Sequence, residues 1–537
     1  MPNTNDQSAA RTPWWYPIAD KPWSPIGFLL ALFALTLVWQ WFSPFTLIED
    51  EAHYWEWSRR LDWSYYSKGP GIAVLIRAST TIFGESEFAI RVPAALSLLI
   101  GAMACVKITK EFFNDRITTF VAAILFVGVP GFAFSSMLMT IDAPYIACWA
   151  WASFFALRAI MRSTKADWVS FGIVLGIGFL LKYTILLLIP GVLLAAVLTR
   201  GKRPKIKTAW MLGGTSIVLL GLIPVLIWNS SHDWATIRHL LGHLGVRGGD
   251  TENTLGGPGK PYSIKWTLEY IALLILVGGA ISSLAITGWI RTKKRATTQQ
   301  HTAATVLMCM GLPVAAFYFA VTFWAQTEGN WPMSAFVTMV PVAAWCVKDA
   351  LGYKKNFVHT LWGIAVGSTV VVLLFFPLGS WLSTRPVIGP MIPLDRATGM
   401  REHAAATQQA IDTLRQQTGL EPIIITDHYG RASQLAFYLR GHPTVYCNSA
   451  LIGGRKTQYD LWDETNLANP DLVDSLRGRP GVLFGGDEQT WSLGFTHIVH
   501  LRKLQNESKT RKTTYTGLHF TGFGQWTSPL PIPEPTP

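Results

Sequence analysis

TLIEDEAHYWEWSRRLDWSYYSKGPGIAVLI, residues 46–76, follows the first long apolar run yet holds Glu49, Asp50, Glu51, Glu56 and Asp62 beside Arg59, Arg60 and Lys68. Charged side chains at the mouth of membrane helices are costly unless they face a polar cavity or one another, so their density here marks a site. A helix over residues 50–57 sets Asp50, His53, Tyr54 and Trp57 at i, i+3, i+4 and i+7 on one face, with Glu51 about a quarter turn away. A carboxylate, an imidazole and aromatic walls on one face suit a hydroxylated substrate. The alternative is an interfacial loop with its charges in water and its rings among the headgroups. Most of Trp55, Trp57, Trp63, Tyr65 and Tyr66 are expected in that interfacial belt.

Outward from this stretch, the composition is that of a polytopic membrane protein: of 537 residues, 50% are apolar and only 15% charged. The net charge of +12 (45 basic minus 33 acidic) does not point to nucleic acid, because the basic residues cluster in short gaps between apolar runs, the positive-inside pattern. Cys105, Cys148, Cys309 and Cys346 lie in or beside apolar runs and Cys447 stands alone in the polar C-terminal part. With no CxxC spacing, neither a disulfide framework nor a zinc site is indicated. Arg11 and Lys21 precede an apolar run without a small-residue cleavage site, so that run is expected to be an uncleaved first membrane helix.

Apolar runs fall at about 26–45, 90–106, 117–135, 143–157, 168–181, 183–199, 209–228, 267–290, 303–324, 331–347 and 358–382, giving about eleven transmembrane helices. Positive clusters occupy every second gap: Lys107, Lys110 and Arg116; Arg158, Arg162 and Lys165; Arg200 to Lys207; Arg291 to Arg295; Lys348, Lys354 and Lys355. These gaps are the cytoplasmic ones. A single helix from Trp168 to Thr199 would span about 48 Å against roughly 30 Å of hydrocarbon, so it is divided into two crossings at Lys182. An odd number of crossings from a cytoplasmic N-terminal segment, residues 1–25, leaves the C-terminal part outside. The first loop (46–90), Asp142, Lys182, the 229–266 loop, Glu328 to Trp331 and everything after about residue 383 then share the outer face.

The expected fold is therefore mainly α, a membrane domain over 26–382 followed by an extracytoplasmic α/β domain over 383–530 and a Pro-rich tail over 531–537. Within the outer domain, residues 400–418 and 431–439 read as helices, and 422–426, 444–447, 481–484 and 497–501 as strands.

If the substrate is a sugar carried on a lipid phosphate, the leaving group is already an anion and needs no general acid, unlike a glycosidase. One base and a cluster of cations suffice. Asp50 fits the base; Lys68 and Lys182 fit the cations, with His53 a third. Each has a plainer reading: Lys68 could snorkel to water, His53 could be a core or surface histidine, and Asp142 could cap the helix whose first turn holds Pro144. Lys182, between two apolar runs, is expected in a tight outer turn.

DEAHYW from Asp50, the Lys68-Gly69-Pro70 turn, GESEFAIRVPA from Gly84, TIDAP from Thr140, LLKYT from Leu180, Trp228-Asn229 with His232-Asp233-Trp234, and Asn330-Trp331-Pro332 together resemble bacterial membrane glycosyltransferases of the GT-C superfamily. The similar types are the dolichyl-phosphate-mannose-protein mannosyltransferases and the aminoarabinose transferases that modify lipid A. The resemblance covers roughly residues 45–335, and more loosely Glu421 to Trp462 with QYDLW. It implies transfer of a sugar, with inversion, from a polyprenyl-phosphate donor to a lipid, glycan or protein acceptor at the outer face of a bacterial cytoplasmic membrane. It also implies catalytic roles for Asp50 and Glu51, donor-phosphate binding by His53, Lys68 and Lys182, and acceptor or structural roles for Asp142, Glu328 and Asn330.

His53 stands where the lipid A branch has an arginine, and Ser67 where that branch has an acidic residue linked to metal binding, so a divalent ion is an open expectation. A lipid-linked saccharide flippase is the rival reading, and would hold its ionisable groups at mid-membrane depth. A membrane scaffold or sensor is another, but leaves the acid and base of the first loop without a role.

Overall fold

A computed structural model describes residues 15–243, 262–351, 357–383, 385, 387, 395–500 and 514–523. Residues 1–14 of the expected N-terminal segment, 244–261 of the 229–266 loop and the Pro-rich tail 531–537 lie outside the described residues.

The chain enters the bundle with α1 (Ser24–Phe42) and then forms two helices in the first loop, α2 (Glu49–Arg59) and α3 (Gly71–Phe83). The bundle continues through α4 (Glu87–Phe112), α5 (Arg116–Val127), α6 (Pro130–Met137), α7 (Asp142–Arg162) and α8 (Lys165–Phe179). After a break at 180–182 the chain returns through a 3₁₀ turn, Tyr183–Leu187, into α9 (Leu188–Leu198). Then come α10 (Thr208–Thr215), α11 (Val218–Ser231), α12 (Ala235–His243), α13 (Ile264–Gly278), α14 (Ile281–Arg295), α15 (Thr298–Val321), α16 (Ser334–Ala350) and α17 (Phe357–Ser383). Side chains start several of these helices: Ser86 accepts from Ala89 N–H, Asp115 from Thr118 N–H and Thr164 from Asp167 N–H.

Among the described residues, six helical segments are long and apolar enough to cross a bilayer, and eight if two bent pairs each count as one crossing. One pair, α5 with α6, bends by 61° just before Pro130; the other, α13 with α14, bends by 80° at Gly279, whose φ is +57°. Each of the eleven apolar runs falls on a helix. Three of those helices, α8, α9 and α16, have only 15, 11 and 17 residues, about 16 to 26 Å of rise against roughly 30 Å of hydrocarbon.

The basic clusters converge on one end of the bundle. Arg158 and Arg162 reach Glu111 at 3.6 and 2.7 Å, Arg291 and Arg295 reach Asp349 at 3.4 and 3.2 Å, and Lys348 lies 3.8 Å from Asp115. Helix α7 runs from Asp142 at the opposite end to Arg162 here; its 21 residues rise about 31 Å, one hydrocarbon thickness.

The C-terminal part forms α18 (Met400–Thr418), β1 (Ile423–Thr426), α19 (Tyr429–Tyr438), β2 (Tyr446–Cys447), β3 (Gly481–Phe484), β4 (Phe495–His500) and β5 (Thr514–Phe520). The sheet order is β2-β1-β3-β5-β4, parallel at β2-β1-β3 and antiparallel at β3-β5-β4. All four residues of β1 are buried, as a central parallel strand requires. Strand β5 had no counterpart among the strands read from sequence.

This α/β part packs directly on α2. Ala52, Trp55 and Trp57 share one apolar core with Leu435, Ala436 and Phe437 of α19. Gly430 permits the approach, because a Cβ there would come 2.4 Å from Glu49 Cβ. Residue 383 is thus a boundary in composition but not in packing. For the same reason the aromatic residues of the first loop depart from the expected belt: Trp55, Trp57, Tyr65 and Tyr66 are buried, and only Trp63, 62% exposed, is open. Trp57 stacks on Tyr65 with centroids 4.4 Å apart, and Trp55 meets Phe437 edge-on at 4.9 Å.

Glu51 turns away from this face into the protein. It forms a bidentate pair with Arg91, both bonds 2.8 Å, and both side chains are fully buried. Its oxygens also accept from Met139 N–H at 2.9 Å and Ile48 N–H at 3.1 Å, while Arg91 donates to the carbonyls of Phe45 and Thr46. The replacement Glu51→Gln leaves the guanidinium buried without its counter-charge, and is expected to cost about 3–5 kcal/mol. The unfolding midpoint of the purified protein in detergent measures this, and a midpoint equal to wild type would exclude the pair as an anchor.

Candidate active site

At the end of the bundle away from the basic clusters, a cavity of about 480 Å³ lies between the helices and the α/β part. Asp50, His53, Lys68, Asp142, Lys182, Glu328 and Asn330 all line it; Glu51, held by Arg91, does not. The acidic pair expected at Asp50-Glu51 is therefore split. Neighbouring helix positions differ by about 100°, so when Glu51 points into the protein Asp50 points into the cavity.

Lys68 is fixed by backbone. Its carbonyl accepts from Tyr65 N–H at 3.0 Å and Ser64 Oγ at 3.2 Å, and Gly71 N–H donates to Leu180 O at 2.9 Å. A Cβ at Gly69 would lie 2.5 Å from that same oxygen, so the Lys68-Gly69-Pro70-Gly71 turn rests on the 180–182 turn with no room for a side chain. This contact brings Lys68 beside Lys182. Among the described residues the Lys68 ammonium has no ion-pair partner within 4.0 Å.

Lys182 sits in the turn that separates α8 from the returning helix, and donates to Asp142 Oδ1 at 2.9 Å. Asn330 Nδ2 holds the other oxygen at 2.7 Å, and the ammonium lies 5.3 Å from the Tyr145 ring centroid. Asp142 does not cap α7, whose N-terminus carries no side-chain cap; its carboxylate orients the lysine instead. An ammonium has three N–H donors, so two remain for a ligand.

His53 departs from the expected cation. Its Nε2 accepts from Trp57 Nε1 at 3.1 Å, which leaves the proton on Nδ1, 3.1 Å from Ser433 Oγ. Burial, with Arg455 and His428 nearby, holds its pKa well below the usual histidine value. It is a neutral link between α2 and α19.

Desolvation raises the Asp50 carboxyl above its ordinary value, opposed chiefly by the Lys68 charge and reinforced by Glu328. Desolvation and the neighbouring Lys182 lower Lys68 to about 8. Both shifts bring these groups nearer to neutral pH, a pattern common at functional sites.

Two residues absent from the sequence reading complete the wall. Tyr429 follows β1 and Arg455 follows β2, its guanidinium carbon 5.0 Å from the Tyr429 ring centroid. Their only signal was that both lie within Glu421 to Trp462, the stretch of looser resemblance. As for a divalent ion, Ser67 supplies no charged ligand, and among the described residues no group of three His, Cys, Asp or Glu could hold one.

Residues 67–228 match the family model of dolichyl-phosphate-mannose-protein mannosyltransferases. The chain is 27% identical to the lipid A galacturonosyltransferase RgtD of Rhizobium johnstonii, over 78% of this chain and 83% of that one. It is 25% identical to the undecaprenyl phosphate-alpha-4-amino-4-deoxy-L-arabinose arabinosyl transferase 2 of Proteus mirabilis, over 68% of each. Its fold is similar to that of ArnT from Cupriavidus metallidurans in the crystal structure bound to undecaprenyl phosphate, with a TM-score of 0.62 at 13% identity, covering 92% of this chain and 98% of that one.

The lowered Lys68 value has a direct readout. Below about pH 8 the lysine is charged, and above it the amine is free to react. Competitive acetylation followed by mass spectrometry should give Lys68 a midpoint about 8, and a midpoint at the ordinary lysine value would show that the side chain is solvated.

Proposed function

We infer that this chain, a polytopic membrane glycosyltransferase of the GT-C superfamily, moves one sugar from a polyprenyl-phosphate carrier to an acceptor hydroxyl at the outer face of a bacterial cytoplasmic membrane. The observation that carries the reading is the sharing of one cavity by Asp50, Lys68 and Lys182. The donor class is that named for the arabinosyl transferase relatives, and a lipid A-like glycolipid acceptor is that named for the galacturonosyltransferase. Sidedness is supported by the basic clusters gathered at the far end of the bundle, which the positive-inside rule assigns to the cytoplasm. On that assignment the N-terminal segment is cytoplasmic and the α/β part is outside.

In this mechanism the donor phosphate lies against Lys68 and Lys182, the latter held ready by Asp142 and Asn330. Asp50 takes the proton of the acceptor hydroxyl, whose oxygen forms a bond to the anomeric carbon on the face opposite the phosphate. The bond from that carbon to the phosphate oxygen breaks, its electron pair leaves with the lipid phosphate, and the configuration inverts. The two ammonium groups stabilise the extra negative charge as it develops. No general acid is needed, since a phosphate leaves as an anion. Glu328 faces the same cavity and balances its positive charge. A flippase would carry these groups at mid-depth, whereas here they gather at one end.

Replacing Asp50 by Asn should lower transfer from a labelled polyprenyl-phosphate sugar by about 10²–10⁴-fold while donor binding persists. Wild-type turnover in that variant would remove the base assignment. Replacing Lys182 by Ala should chiefly weaken donor binding, and an unchanged donor affinity would count against its phosphate role.

The pH profile of kcat/KM follows from the same groups. Activity should rise through a pKa above the ordinary aspartate value as Asp50 ionises, and fall near pH 8 as Lys68 loses its proton. In Lys68→Arg the alkaline limb should move upward, because a guanidinium stays charged; an unmoved limb would assign it to another group.

A further inference from the structure

Asp50 shares its cavity with, and feels the charge of, cations built on two different parts of the fold. On the bundle side stand Lys68 and Lys182, joined through the contact of Gly71 with Leu180. On the other side stands Arg455, carried by the loop after β2 and set 5.0 Å from the ring of Tyr429, which itself packs 4.6 Å from the His53 ring. Among the described residues Arg455 has no ion-pair partner, yet it lines the cavity. In open α/β sheets, ligands bind outside the carboxyl ends of parallel strands. Here Tyr429 follows the end of β1, and Arg455 and Thr457 follow the end of β2; all three line the cavity.

In an inverting displacement the base sits with the acceptor hydroxyl, on the face of the sugar opposite the departing phosphate. With the phosphate on the lysine side, the Arg455 side faces the sugar and the acceptor. A guanidinium that bonds the Tyr429 side chain and has no ion-pair partner among the described residues is suited to a planar or tetrahedral oxyanion, which it can engage with two parallel hydrogen bonds. We propose that Arg455, braced by Tyr429, forms a second anion subsite that takes a carboxylate or phosphate carried by the transferred sugar or by the acceptor, and not the donor's lipid phosphate. The proposal rests on the donor reading above for its geometry.

The test uses full-length protein in nanodiscs as wild type, Arg455→Gln, Arg455→Lys and Lys68→Gln. Undecaprenyl phosphate without a sugar probes the donor phosphate site: Lys68→Gln should weaken it, and Arg455→Gln should leave it within about twofold. Two pairs of probes then locate the anion. One compares polyprenyl-phosphate-linked uronic acid with the neutral hexose; the other compares lipid A with its dephosphorylated form.

Wild type should prefer the anionic member of one pair by about tenfold or more. Arg455→Gln should abolish that preference, and Arg455→Lys should keep part of it. Loss in the first pair assigns the anion to the sugar, and loss in the second assigns it to the acceptor. The proposal is overturned if Arg455→Gln weakens undecaprenyl phosphate as much as Lys68→Gln does, or if the variant keeps the wild-type preferences in both pairs. Failure of wild type to bind undecaprenyl phosphate would sink the donor reading instead, and the lipid A pair would still test an acceptor anion at Arg455.

Discussion

A carboxylate and a guanidinium, both fully removed from solvent, hold the cavity end of this protein together. Burying two charges is tolerable only when they pair and their remaining valences are met. Glu51 and Arg91 meet that condition by engaging each other, the backbone N–H groups of Ile48 and Met139, and the carbonyls of Phe45 and Thr46. The pair thereby ties together the exit from α1, the start of α2, the second turn of α4 and the segment leading to Asp142. It sets the rotation of α2, and that rotation aims Asp50.

The cavity that Asp50 enters is a joint product of two architectures. The bundle supplies two lysines through turns that touch backbone to backbone, Gly71 against Leu180. The α/β part supplies Tyr429 from the start of α19, just after β1, and Arg455 from the loop after β2. Helix α2 belongs to both, since its apolar side chains share a core with α19. This shared burial also explains His53: enclosed between Trp57 and Ser433, with cations nearby, it is more stable neutral than charged.

Much of the bundle was legible because a bilayer imposes a simple code of apolar runs and basic gaps. All eleven runs are helical, and the break at Lys182 follows from the length of its run together with the basic clusters on both sides of it. Amphipathic α3 carried no such signal and passed unread. Strand β5 also passed unread, since Gly517 and the spacing of Tyr515, Leu518 and Phe520 break the period-two apolar pattern. The surroundings of Trp55, Trp57, Tyr65 and Tyr66 could not be inferred either: the same rings suit lipid headgroups or a protein surface, and only the docking of α19 decides between them.

By itself the sequence determined the membrane character, the order of the helices, and the gathering of Asp50, Lys68, Asp142, Lys182, Glu328 and Asn330 at one end, because hydropathy and charge act locally and alternate from crossing to crossing. Only the tertiary structure decided which of these groups are free and which are bound. Glu51 was taken by Arg91, His53 by Trp57 and Ser433, and Asp142 by Lys182 and Asn330, while Arg455 arrived from the far end of the chain. The physical reason is that a charge is defined by its neighbours within a few ångströms, and those neighbours are set by packing between segments remote in sequence.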